Sequence, residues 1–355
     1  MATEFLHRTY CRAARGEARA EGVTQDVPAG WSLTCTRRNM LAIRTAATLS
    51  VLLLTAAPVA HAQLPPPKAA VHIDPASPLD SRVGEVDPTV LKMFADAGMP
   101  APSAHALTAA ERTSLARAFT ILPPVHQRVL RERLRRISFL DGMPNTALTS
   151  MVDPDAATPV FDLTIRAGVL HESVSEFLTN KERTCFDFSG STRTVVVEAG
   201  ALDAIVYVLL HEATHMVDGA LGLTPVEGSS PAADADLLTT GVWTDRPTVA
   251  SAHANPLLDE LVYRRGGRPI PVSDAHKMYG ALQQTPFVSL YASSNWHDDV
   301  AELVAWHHLT SRMGQPYRIV VRERDQEVLV YEPMASPLVQ HRLRLLTPMY
   351  DAPPV

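Results

Sequence analysis

The chain has 355 residues, of which 46% are hydrophobic and 20% charged, with a formal net charge of −6. That length supports one large core or two small ones, and the composition excludes both a charge-rich disordered chain and a polytopic membrane protein. The acidic balance leaves no electrostatic footprint for nucleic acid, and three cysteines (Cys11, Cys35 and Cys185) are too few for a disulfide framework.

Residues 46–60, AATLSVLLLTAAPVA, form the one long uncharged apolar run. It is shorter than the ~20 residues a permanent membrane span needs. Arg37, Arg38 and Arg44 precede it, and Ala60-His61-Ala62 follows with a small-x-small pattern. These are the three regions of a secretory signal peptide, so cleavage is expected after Ala62 and the mature protein is expected to be periplasmic or secreted. Met40–Ala62 is by itself a full signal peptide, which would make residues 1–39 an upstream extension. Alternatively, Thr36-Arg37-Arg38-Asn39-Met40-Leu41 resembles a twin-arginine signal. Removing 1–62 takes away seven basic and four acidic residues, so the net charge becomes −9 and Cys185 is the one thiol left. No cysteine follows the cleavage site to carry a lipid.

Residues 63–88 are rich in Pro, Ala and Asp and read as an extended lead-in, with the folded domain spanning 89–355. Thr108-Ala-Ala-Glu111 is a capping box that opens a helix to about Phe119. A second helix starts at Pro123-Pro124 and runs to about Arg136, its arginines forming a solvated face. PVFDLTIR, 159–166, alternates like a half-buried strand. A short helix at 172–180 and strands at 184–188 and 192–198 follow. The strongest helical pattern runs from Leu202 to Leu221 and stops at Gly222. Residues 222–256 read as loop, 256–264, 274–284 and 295–312 as helices, 318–330 as a strand pair turning at 323–325, and 338–346 as a last helix. Helices and strands that do not alternate regularly give an α+β class.

Within the 202–221 helix, residues 211–215 read His-Glu-Ala-Thr-His. Histidines at i and i+4 lie on one helical face and can converge on one Zn²⁺, with Glu212 beside them as a general base. The preceding apolar run, Ala204–Leu210, would hold the pair on a buried, rigid element. A catalytic zinc needs a third protein ligand. The short HExxHxxGxxH arrangement is absent, because Leu221 stands at its last ligand position. The best downstream segment is Tyr291–Ala305, in which Asp298 and Glu302 are one turn apart on a stripe shared with Ala301 and Ala305. One acid would reach the metal and the other a ligand histidine. Asn295 reads as an N-cap, which gives Asp298 an alternative role as its N3 partner. Asp299 points about 100° away and is expected in solvent. His297, His307 and His308 are expected at interfaces or on the surface, and Asp218 either bonds near the site or lies exposed. Cys185 reads as a strand residue with no His beside it.

The two segments together resemble the lethal-factor-like zincin metallopeptidases of the gluzincin group, in which HExxH is followed by a helix beginning Y-A-x-x-N-x-x-E-x-x-A-E. The resemblance covers about 30 residues. It implies a zincin-like domain with a small sheet, Asp298 as third ligand, Glu302 as its supporting acid and Tyr291 as a hydrogen-bond donor to the transition state. Asp298 stands where that pattern has Glu, which keeps Glu302 as an alternative ligand. The function implied is an exported zinc metalloendopeptidase acting on peptide or protein substrates, with Glu212 as base toward a zinc-activated water. The strand at 192–198 is the expected surface for an extended substrate. The alternatives are a zincin-like zinc-binding protein of the cell envelope without peptidase activity, and a metal-free protein.

Overall fold

The computed structural model describes residues 73–153, 156–225, 238–324 and 326–350. The export segment expected at 1–62 lies outside them. Among the described residues no helix is long and apolar enough to cross a membrane.

The packed body starts upstream of the expected boundary at residue 89. Leu79 joins the main core, and the buried Arg82 donates to the carbonyls of Leu130, Leu134 and Arg131. Those carbonyls end a helix, so a lead-in residue caps the domain's interior. Helix α1 (Pro88–Asp96) begins at N-cap Asp87, and β1 (Ser103–Ala104) follows. The capping box at Thr108 and Glu111 is present and opens α2 (Ala109–Ile121).

Helix α3 (Pro124–Arg133) stops three residues short of the expected end, because Leu134–Asp141 forms β2. Its Leu134, Ile137, Phe139 and Leu140 are buried, a strand covered on both faces and therefore without simple alternation. Arg135 and Arg136 are not simply solvated: both pair with Asp162 and Asp87. Strands β3 (Ala147–Met151) and β4 (Phe161–Arg166) complete a four-stranded sheet in the order β1-β2-β4-β3. Within it β2 and β4 are parallel, and β3, antiparallel to β4, is an edge strand with no second partner among the described residues. Val90 and Phe94 of α1 cover one side of β2 against Leu140 and Met143.

After α4 (Val174–Arg183) come the two-residue β5 (Phe186–Asp187), where a longer strand was expected, and β6 (Arg193–Glu198). The 18-residue α5 (Ala204–Leu221) ends at Gly222, whose φ of 68° is the left-handed cap a helix stop requires. The expected loop contains a hairpin, β7 (Trp243–Asp245) and β8 (Thr248–Val249). The expected helix at 256–264 shortens to α6 (Pro256–Asp259). Strand β9 (Ile270–Pro271) pairs with β5, and α7 (Ala275–Leu282) follows. Helix α8 (Trp296–His307) continues as a π turn through Arg312. Strands β10 (Arg318–Glu323) and β11 (Gln326–Tyr331) form a three-stranded antiparallel sheet with β6, and α9 (Pro337–Leu343) closes the series.

The architecture is mixed α+β with small sheets. Helix α5 lies at its centre, packed on α8, α3, α2 and the edge strand β3. Ala204 through Leu210 are all buried, so this helix is apolar on every side at its first half and carries polar groups at its second.

Candidate metal centre

Helices α5 and α8 face each other along a ladder of polar pairs. Nδ1 of His211 lies 3.1 Å from Oε1 of Glu302, Nε2 of His215 lies 3.5 Å from Oδ1 of Asp298, and Asp218 bonds Nδ1 of His297 at 2.8 Å. The small side chains of Ala301 and Ala305, both buried, accompany these acids on α8.

His211, His215 and Asp298 form a group able to hold a metal. Their facing atoms make a nearly equilateral triangle: 3.2 Å between the two Nε2 atoms, and 3.5 Å from each to Oδ1 of Asp298. The equidistant point in their plane lies about 2.0 Å from each and the tetrahedral position just out of that plane about 2.1 Å, both within the range of zinc–nitrogen and zinc–oxygen bonds. Tetrahedral ligands at that bond length stand about 3.3 Å apart, so three protein donors are in place and one position is left for water or substrate. The spacing and the donor types therefore fit a small divalent metal ion.

The charges agree with the distances. Burial alone would push the His211 imidazolium down, but Asp298, Glu302 and Glu212 outweigh it and hold the group up at about 9. Burial alone would raise Asp298, but the two histidines outweigh it and hold the carboxyl well below its ordinary range. The centre is built to hold positive charge.

Asp298 lies both in the three-residue group and in the hydrogen-bond network that caps α8. Asn295 caps α8 through Oδ1, accepting from the backbone of His297 and Asp298. The amide of Asn295 meanwhile donates to Oδ2 of Asp298 at 2.6 Å, and Ser294 donates to the same oxygen at 3.1 Å. The capping residue thus fixes one carboxylate oxygen and leaves Oδ1 toward the histidines. An aspartate reaches because α8 starts at this level of the ladder.

Glu302 lies outside the three-residue group. Its oxygens accept from Tyr207 and, at 2.7 Å, from Ser289, and Lys181 Nζ lies 3.6 Å away. Burial pushes Glu302 up, but Lys181 first and then His211 and Tyr207 bring it down to about 2. It stays ionised against the back of His211, although His211 Nδ1 points off the axis of a good hydrogen bond. Oriented in this way, a carboxylate raises the basicity of a ligand imidazole.

Glu212 accepts a hydrogen bond at Oε2 from Thr149 on β3, 2.7 Å away. The ring of Tyr291 lies 5.7 Å from that of His211, with Lys181 Nζ 3.6 Å over its face. Burial, then the charges of Asp298, Glu212 and Glu302, push the Tyr291 phenol well above its ordinary range, so it remains a proton-bearing donor.

One expectation is corrected here and another narrowed. Asp299 is not in solvent: it is fully buried, paired with both terminal nitrogens of Arg342 at 2.7 and 2.8 Å and accepting from Trp243 Nε1. Strand β6, the surface expected for an extended substrate, is partly occupied at its C-terminal end. Thr179 and Ser175 of α4 lie there, accepting from the backbone of Val197 and Ala199. The edge strand that touches the site is β3. Asp218 is buried and also receives both the backbone and the hydroxyl of Thr224, fixing the chain just after the αL cap. His308 Nε2 donates to the Ile121 carbonyl at the end of α2, 2.8 Å away, and so lies between elements as expected. Cys185 is fully buried, and burial raises its thiol well above the ordinary value.

Thr149, Lys181, Ser289 and Tyr207 were not found from the sequence. Tyr207 carried a signal, a hydroxyl in an apolar run one turn before His211. The others come from remote segments that only the fold brings together.

Compared with protein-family models, with curated proteins and with solved structures, the chain has no match. Its site is read from its own geometry.

Proposed function

We propose that this chain is an exported zinc-dependent metallopeptidase built on a zincin-like domain. The observation that carries the reading is the triangle of His211, His215 and Asp298 with Glu212 on the adjoining position of the same helix. A zinc ion held there would supply Lewis acidity, lowering the pKa of water and polarising a carbonyl. Glu212 takes the proton of the attacking water and delivers it to the leaving amine. Tyr291 donates a hydrogen bond to the developing oxyanion. Asn295 and Ser294 hold Asp298, and the Glu302 carboxylate lies behind His211, 3.1 Å from Nδ1. The outer edge of β3, beside Glu212, is the surface along which an extended peptide would add as a strand. The signal-like segment at 40–62 supports a periplasmic or secreted location.

The test combines metal content with turnover. After mild purification the protein should hold about one zinc per chain, lost on His211→Ala. An unbiased peptide library should be cleaved by the wild type and not by Glu212→Gln. Stoichiometric zinc without cleavage would replace the peptidase reading with the zinc-binding envelope protein, and zinc below about 0.2 per chain would remove the metal.

A further inference from the structure

We infer that Thr149 is a positioning residue for Glu212: its hydroxyl holds Oε2 of the carboxylate, leaving Oε1 as the basic atom. The inference rests on the peptidase reading above and adds to it a residue that no motif supplies.

The direction of the bond is set by chemistry. An ionised carboxylate only accepts, so the 2.7 Å contact is donated by the threonine Oγ1. The donor is rigid. Thr149 is β-branched, with a restricted χ1, and lies in the middle of β3, opposite Leu163 of β4. A glutamate on a helix has three rotatable bonds, and without a partner its carboxylate would sample several rotamers. A fixed hydroxyl selects one of them, which is what a base needs in order to meet its proton at hydrogen-bond distance.

The fold also fixes the distance between helix and strand. Glu212 and Gly219 are seven residues apart, two helical turns, and so share a stripe. A Cβ at Gly219 would stand 3.1 Å from Cζ of Phe161, so the helix lies as close to the sheet here as a glycine allows. Phe161 is paired with Met151, two residues along β3 from Thr149 and therefore on the same face. One stripe of α5 thus meets one face of the sheet at two points: close packing at Gly219 and a hydrogen bond at Glu212. The histidines lie about 60–100° around the helix from that stripe, toward α8. The base is held by the sheet and the metal ligands by the helix pair, from two separate supports.

A purely structural hydroxyl would affect stability and leave the chemical step alone, and three variants separate the two cases. Thr149→Val keeps the shape and removes the donor, while Thr149→Ser keeps the donor. Glu212→Gln is the reference. On a cleaved library peptide, Thr149→Val should lower kcat about tenfold, within the range of a lost charge-assisted hydrogen bond. KM should change less than about twofold and zinc content not at all, and Thr149→Ser should restore kcat. The second readout is binding of acetohydroxamic acid to the zinc-loaded protein, since its N–H and O–H donate to a carboxylate beside the metal. Thr149→Val and Glu212→Gln should both weaken it about tenfold. Wild-type kcat in Thr149→Val, in a protein that Glu212→Gln inactivates, would overturn the inference and leave the peptidase reading intact. If no peptide is cleaved, the peptidase reading falls, and equal hydroxamate affinity in wild type and Thr149→Val, or no zinc-dependent hydroxamate binding, overturns the inference as well.

Discussion

Zinc entry should expel a proton from His211, and the size of the effect follows from the site. In the metal-free protein Asp298, Glu302 and Glu212 hold that imidazolium at about 9, whereas a zinc ligand must be neutral. At pH 7 the group is roughly two pH units below that value, so ligation works against about 3 kcal/mol, on the order of a hundredfold in affinity. Apparent zinc affinity should therefore rise about tenfold per pH unit from 7 to 9 and level off above. The metal-free fold has the opposite dependence. A raised histidine contributes its stability fully below its ordinary 6.5 and loses it as pH climbs through about 9. Calorimetric zinc titration against a competing chelator, at pH 7 in two buffers of different ionisation enthalpy, counts the protons released. About one should be attributable to His211 and should vanish in His211→Ala. An affinity flat between pH 7 and 9, with no proton released, would refute the electrostatic account of the centre.

The remaining predictions concern neighbouring side chains. Asp298→Asn, which removes charge from the triangle, should cost more than a hundredfold in zinc affinity. Glu302→Gln, which perturbs His211 from behind, should cost about 10–100-fold, and the reverse order in a chelator competition would make Glu302 the ligand. Arg342→Ala strands the buried Asp299 carboxylate and should destabilise the protein by about 3–5 kcal/mol; a loss below about 1 kcal/mol in denaturant titration would show that Asp299 finds another partner. Native protein should resist thiol-specific labelling at Cys185, which is buried and held as the thiol, and become labelled only when unfolded.

How far the sequence could be read depended on whether a feature was local. The helix that carries His-Glu-Ala-Thr-His, its glycine stop and the Thr108 capping box each depend on residues within a few turns, and each is where the spacing placed it. Strand β2 was hidden because its start, Leu134-Arg135-Arg136, continues the composition of α3 and because burial on both faces erases alternation. Asp299 was misread for a related reason. Its angle from the metal-facing stripe was correctly derived, but that other face is covered by Trp243 and α9, from about 56 and 43 residues away. Thr149 shows the same limit at the site itself: a single hydroxyl 63 residues from its partner has no local pattern.

The pairing of Arg342 with Asp299 has a consequence for synthesis. Asp299 adjoins the ligand Asp298, and the cation that neutralises it arrives 43 residues later in the chain. In a chain that has not yet reached that arginine, Asp299 keeps the Trp243 donor but lacks its cation, so α8 packs beside the histidine helix only at the cost of a poorly compensated buried acid. The helix that carries Asp298 therefore gains its full packing strength only once the chain through Arg342 is present.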